Sequence, residues 1–134
     1  MFKSDSGRRF MQTQGLHHIA IISSAESSID FYKAMGFTVD SYEKRPNQHD
    51  VLVFMSGFGV TLEIVIDSVH PQRISSPEAF GLRHIAFCVK DFDGFISAMT
   101  DAGYNCSEIR HDKKTGVRFT FYLDPDGLPI EIRE

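Results

Sequence analysis

The chain is 134 residues long, 42% hydrophobic and 24% charged, with a formal net charge of −4, a balance that suits one compact domain with a full core. No basic stripe interleaves with aromatics, which argues against nucleic acid as a partner, and no apolar run approaches the roughly 20 residues of a membrane span. The opening stretch MFKSDSGRRFMQTQ lacks the apolar centre of a signal peptide, so residues 1–14 are expected to be a polar arm and a cytoplasmic location follows by default.

The first predicted strand lies in GLHHIAIIS (15–23). A helical pattern follows, with Ser23 and Glu26 at capping-box spacing, Ala25, Ile29, Tyr32 and Met35 as its apolar face, and Gly36 placed to end it. Three strands are expected near 37–45, 49–56 and 60–66, the last two joined by turn chemistry in SGFG. DSVHPQRISSPEAFG (67–81) reads as a link, and beyond it the order of elements repeats. GLRHIAFCV (81–89) is a strand. Asp91 is the expected N-cap of a helix with Phe92, Phe95, Ile96, Met99 and Ala102 as its buried stripe and Gly103 as its stop. Strands near 105–112, 117–123 and 128–133 follow, with DPDG as the last turn.

LHHIAIISSAESSIDFYKAMGF (16–37) aligns with LRHIAFCVKDFDGFISAMTDAGY (82–104) with one residue inserted, and VFMSGFGVTLE (53–63) aligns with FYLDPDGLPIE (121–131). The chain is therefore a duplicated unit of roughly 60 residues. The fold class this implies is α+β: a single domain over 15–134, built from βαβββ modules 15–66 and 82–134. Cys88 and Cys106 form neither a disulfide framework nor a CxxC site, and are expected as buried or half-buried thiols.

Side chains alternate between the faces of a strand. Ile19 and Ile21 share one face, and His18 and Ala20 share the other; in the copy, Ile85, Phe87 and Val89 oppose His84 and Ala86. In the last strands Glu63 faces away from Leu62, Ile64 and Ile66, and Glu131 faces away from Ile130 and Ile132. A single strand histidine is most often a hydrogen-bonded core residue, and a single strand glutamate most often faces water. Two of each, at equivalent places in both copies, point instead to convergence on one site. Imidazole and carboxylate together suit one divalent cation such as Zn²⁺, Ni²⁺, Co²⁺ or Mn²⁺. If the two sheets curl around a common cavity, these four side chains line its floor. His17 and Arg83 have the opposite parity, and His49, His70 and His111 have no histidine at the matching place in the other unit, so none of these is a ligand candidate.

With these residues in place the chain resembles the vicinal oxygen chelate superfamily, which includes glyoxalase I, over residues 15–134. The resemblance implies the glyoxalase/bleomycin resistance/dioxygenase fold, paired βαβββ modules in a cup-shaped mixed sheet. It implies His18, Glu63, His84 and Glu131 as metal ligands, no other cofactor-binding residues, and a homodimer. SPEAFGLRHIAF (76–87) and RFTFYLDPDGLPIEI (118–132) are similar to stretches of small bacterial glyoxalase-like proteins. The chain departs from that pattern at Ile74 and Ser76, where Pro and Arg are expected.

The implied activity is that of a lactoylglutathione lyase-like metalloenzyme. It converts a 2-oxoaldehyde–thiol hemithioacetal to a 2-hydroxyacyl thioester through an enediolate, with Glu131 as the base and Glu63 able to serve the other face. The same resemblance holds alternatives: an epimerase, a thiol transferase or a dioxygenase, or a metal-free small-molecule binding protein. Arg45, Arg73, Arg110, Lys113, Lys114 and Arg118 are candidates for meeting an anionic substrate, and Phe54, Phe119 and Phe121 for lining the pocket, with solvated surface charge and core packing as the competing readings.

Overall fold

The structure is a computed structural model that describes residues 12–134; residues 1–11 of the expected polar arm lie outside the described residues. Ten elements follow in order: β1 Ile19–Ser23, α1 Ser27–Met35, β2 Thr38–Arg45, β3 Asp50–Gly57, β4 Val60–Ile66, β5 Ile85–Cys88, α2 Phe92–Asp101, β6 Arg110–His111, β7 Arg118–Leu123 and β8 Pro129–Arg133. They make two four-stranded sheets, ordered β1-β4-β3-β2 and β5-β8-β7-β6. In each sheet the first and last strands of the unit pair in parallel, and the remaining pairs are antiparallel. This is the duplicated α+β architecture expected from the repeat. Neither helix among the described residues is long and apolar enough to cross a membrane.

Alternation along the strands decides which face is dry. Ile21, Leu62, Ile64, Val53 and Met55 are buried in the first sheet, and Phe87, Tyr122, Ile130 and Ile132 in the second. All belong to one cluster that also takes in Phe31, Tyr32 and Met35 of α1 and Phe92 and Met99 of α2. The two units thus share a core, and aromatic contacts bridge them. Phe31 meets Tyr104 at 5.2 Å, Phe37 meets Phe87 at 5.8 Å, and Phe58 stacks on Phe87 at 4.6 Å. Phe58 adopts a positive φ of 53° in the two-residue turn before β4, a conformation that costs a residue with a Cβ. Burying its ring between the units offsets that cost.

A polar latch completes the junction. The Tyr32 hydroxyl donates to Asp124 Oδ2 at 2.8 Å, while Asp124 Oδ1 accepts from the backbone N–H of Asp126 and Leu128. The neighbouring Asp126 accepts from the Ser23 hydroxyl at 2.9 Å and from the Ser24 N–H at 3.0 Å. Burial pushes the Asp124 carboxyl above its ordinary range, and the donors from Leu128, Tyr32 and Asp126 work against that rise. Burial likewise raises the Tyr32 hydroxyl, with the Asp124 charge adding to the effect, so it remains a donor.

Several local expectations are corrected. The capping box does not form: α1 has Glu26 at its N-cap without a side-chain bond, because Ser23 is drawn into the latch and bonds Ser28 and Asp126 instead. The buried stripe of α1 is Ser28, Phe31, Tyr32 and Met35; Ala25 is exposed and Ile29 half-buried. Ala102 is exposed at the end of α2, whereas Asp91 caps that helix as expected, accepting from the Gly94 N–H. Cys88 is exposed, since it shares the open face of β5 with His84 and Ala86; Cys106 is half-buried. β6 is two residues long, shorter than the 105–112 expected.

Two outcomes test this account. Tyr32→Phe leaves Asp124 Oδ2 without its donor and is expected to cost about 1–3 kcal/mol of unfolding free energy. Tyr122→Phe removes a buried hydroxyl that has only the weakly bonding Cys106 thiol beside it among the described residues, and is expected to be neutral or to stabilise by up to about 1 kcal/mol; urea unfolding midpoints compare the two. At the other end of the sheet, Arg118 bonds Glu134 and Asp93, both at 2.9 Å. The Arg118 guanidinium holds the Glu134 carboxyl down at about 2 from an ordinary 4.5. Stability from this depressed carboxyl is fully present above 4.5 and is lost as pH falls toward 2. Thermal melts between pH 5 and pH 2.5 should therefore fall less steeply for Glu134→Gln than for the parent chain.

Candidate metal centre

The parallel pairing of β1 with β4 sets Ala20 opposite Glu63, and that of β5 with β8 sets Ala86 opposite Glu131. His18 and His84 each lie two residues before those alanines, on the same face. A methyl group between histidine and glutamate leaves room for both side chains to reach over the sheet. His18 Nε2 stands 3.5 Å from Glu63 Oε2, and His84 Nε2 stands 3.4 Å from Glu131 Oε1. Both separations exceed the roughly 2.7–3.2 Å of a hydrogen bond to nitrogen. They match the roughly 3.0–3.5 Å expected between two donors that each sit 2.0–2.2 Å from one cation. By donor chemistry and spacing, the residues fit a divalent ion.

Each pair has an aromatic neighbour from the adjoining strand. Phe54 lies opposite Glu63 and its ring is 6.3 Å from that of His18; Phe121 lies opposite Glu131 and is 5.2 Å from His84. Both phenylalanines, with Phe119 at 6.3 Å from Phe121, belong to the open faces rather than to the shared core. The register also corrects the ungapped alignment of 53–63 with 121–131, which matches Val53 to Phe121. Phe54 holds the corresponding place, because the connection from Phe121 to its partner Glu131 is one residue longer than that from Phe54 to its partner Glu63.

Two supporting residues were not singled out from sequence. Arg133 donates to Glu131 Oε2 at 2.9 Å and to Asp112 at 3.1 Å, so one glutamate oxygen is anchored while the other faces His84. Strand parity carries that signal, since Arg133 follows Glu131 by two residues. His17 Nδ1 lies 2.8 Å from His18 Nδ1, which turns the His18 ring so that Nε2 faces Glu63. No pattern announced this contact, because it is made before β1 begins. His49, His70 and His111 stay outside both pairs; His70 lies 3.8 Å from Asp67.

The two pairs do not meet within one chain. Among the described residues no three His, Cys, Asp or Glu side chains come together at metal-binding distance. The reason lies in the core. Both sheets turn their apolar faces inward to one cluster, so the two histidine–glutamate faces look outward, and each module presents a half-site with two donors. Ile22 and Leu123 share these faces and are 54% and 63% exposed.

The sequence profile of the Glyoxalase/Bleomycin resistance protein/Dioxygenase superfamily matches residues 15–132. The uncharacterized protein YaeR of Escherichia coli is 39% identical over 123 residues, which cover 89% of this chain and 95% of YaeR. A glyoxalase family protein from Enterococcus faecalis has a crystal structure similar to this one, with a TM-score of 0.82 and 37% identity over 90% of this chain and 98% of that one. The fosfomycin resistance protein FosX of Listeria monocytogenes shares the fold at a TM-score of 0.72 and 17% identity, over 90% of this chain and 93% of FosX. The chain belongs to the Glyoxalase/Bleomycin resistance protein/Dioxygenase superfamily.

Proposed function

We propose that this member of the superfamily is a metal-dependent lyase or isomerase of the glyoxalase I kind, acting on the hemithioacetal of a 2-oxoaldehyde and a thiol. The observation that carries the reading is the twin arrangement of His18 with Glu63 and His84 with Glu131, each pair spaced for a shared cation and too far apart for a direct hydrogen bond. In this reading two copies of the chain associate so that the first-module pair of one faces the second-module pair of the other. Exposed Ile22 and Leu123 on the open faces support association, because covering apolar surface there is favourable.

A bound divalent ion would polarise the vicinal oxygens of the substrate and stabilise charge developing on them. The protein's own groups do the proton work. Glu131 removes the proton from the carbon bearing sulfur and returns it to the neighbouring carbon, while the hydroxyl proton of the first carbon passes to the oxygen of the second, so one carbon is oxidised, its neighbour is reduced and there is no net oxidation. Arg133 holds Glu131 Oε2 and thereby aims Oε1. Glu63 stands ready on the opposite side of the substrate as second ligand and second proton acceptor. Phe54 and Phe121 flank the two carboxylates and keep bulk water from a charged intermediate. The presence of Glu63 separates this set from three-ligand arrangements suited to oxygen chemistry at iron.

Metal analysis of the purified protein should find about one divalent ion per chain, since a pair of copies makes two composite sites. Glu131→Gln should lower kcat by about 10²–10⁴-fold; full turnover in that variant removes the assignment of base. Composite sites are tested by mixing two inactive variants, His18→Ala and His84→Ala. After subunit exchange one intact site forms in each mixed pair, and activity should return to about a quarter of the parent level. No recovery would argue that the four ligands do not come from two chains.

A further inference from the structure

The open face of the second module carries a cation that nothing in the proposed chemistry employs. Among the described residues four arginines are neutralised by carboxylates: Arg45 by Asp50, Arg83 by Glu78, Arg118 by Asp93 and Glu134, and Arg133 by Glu131 and Asp112. Arg73 donates to the backbone carbonyls of Leu82 and Arg83. Arg110 differs. Among the described residues its guanidinium has no acceptor, yet it is not left to wander, because it lies 5.1 Å from the centre of the Phe119 ring and 5.9 Å from that of Phe121. Aromatic faces hold a guanidinium by its plane and leave the N–H groups at its edge free to donate.

These residues line one cavity of ≈ 550 Å³ that also takes in His84 and Glu131. The charge of that cavity runs against the rest of the molecule. The chain as a whole is at −4, but Arg73, Arg83 and Arg110 outnumber Glu78 and Glu131 on its walls, which favours an anion there. The strand register sets the distance. Arg110 pairs with Phe119, Phe119 pairs with Arg133, and Glu131 is two residues further along β8. Two strand spacings and one two-residue step separate the Cα atoms of Arg110 and Glu131 by about 12 Å. Between them lie the rings of Phe119 and Phe121, set edge to face at 6.3 Å as an apolar corner.

We propose that Arg110 is the specificity-determining residue of this site, binding an oxyanion (a carboxylate or a phosphate) at the far end of a small substrate whose apolar middle rests on Phe119 and Phe121. The proposal deepens the reading of the site given above and rests on it only for what happens at the near end, beside His84 and Glu131. It selects substrates in which the reacting group and the anion are several bonds apart, and it predicts that neutral analogues are poor ligands. Arg110 touches substrate without taking part in proton transfer.

The test uses the full-length protein and small probes with one ring: benzoate and phenyl phosphate as anions, benzamide as the neutral match, titrated by calorimetry or by ring shifts in NMR. The parent chain should bind the anions at least roughly tenfold more tightly than benzamide, and Arg110→Gln should abolish that preference while Arg110→Lys restores part of it. His84→Gln, which disables the cation pair, should keep the preference, so loss of the metal reading and loss of this one are told apart. A parent chain without preference for the anions overturns the proposal, as does a preference that survives in Arg110→Gln. Loss of the preference in His84→Gln also overturns it, because the probes would then be binding at the cation.

Discussion

The structure depends on one buried carboxylate. Asp124 stands at the junction of the two modules, accepting the Tyr32 hydroxyl from the first and two backbone N–H groups from its own turn. Removed from water, this carboxyl is tolerable only because every donor it needs is supplied. That requirement ties the turn before β8 to the helix of the other unit. With Ser23 and Ser24 held by Asp126, the aromatic seam around Phe58 and Phe87 closes, and the two sheets share one core. Everything about the functional surface follows. Sheets that face a common interior with their apolar sides must turn their polar sides outward, and the histidine–glutamate pairs lie on those sides.

The repeat and the parity of its strands were legible in the sequence because both are rules of the chain itself. A period of two along a strand places His18, Glu63, His84 and Glu131 opposite the branched residues whatever the modules do next. How the two pairs lie relative to each other was not legible, since it depends on how the two modules pack. Shared burial of both apolar faces holds the pairs apart within one chain. The same distinction explains the smaller departures. Ser23 and Glu26 have a capping-box pattern, but Ser23 donates instead to Asp126 of the other unit. Phe31 escaped the predicted stripe of α1 because its contacts are to Tyr104 of the other module. Cys88 reads as core in an apolar run until its parity with His84 is followed one step further.

The two halves have also diverged in a way that pattern matching understates. Among the described residues no arginine bonds Glu63 in the first module, where His17 supports His18, whereas the second module anchors Glu131 to Arg133. Glu131 is therefore held by an arginine on its own strand, a difference that suits unequal roles for two chemically identical groups. The extra residue in the second turn, which makes room for Asp124 and Asp126, accompanies that divergence. Duplication supplied the symmetry, and the inter-module latch was built by breaking it.

Outward-facing half-sites have a consequence for how the protein would behave as its concentration changes. Two donors on a solvent-exposed sheet hold a divalent ion weakly, and four hold it firmly, so in the proposed dimer the ion and the partner chain each complete the other's binding site. Occupancy and assembly then draw on a single linked equilibrium. Dilution would loosen the ion as surely as a chelator would loosen the pair, and scarcity of metal in the cell would be felt first as a shift toward single chains.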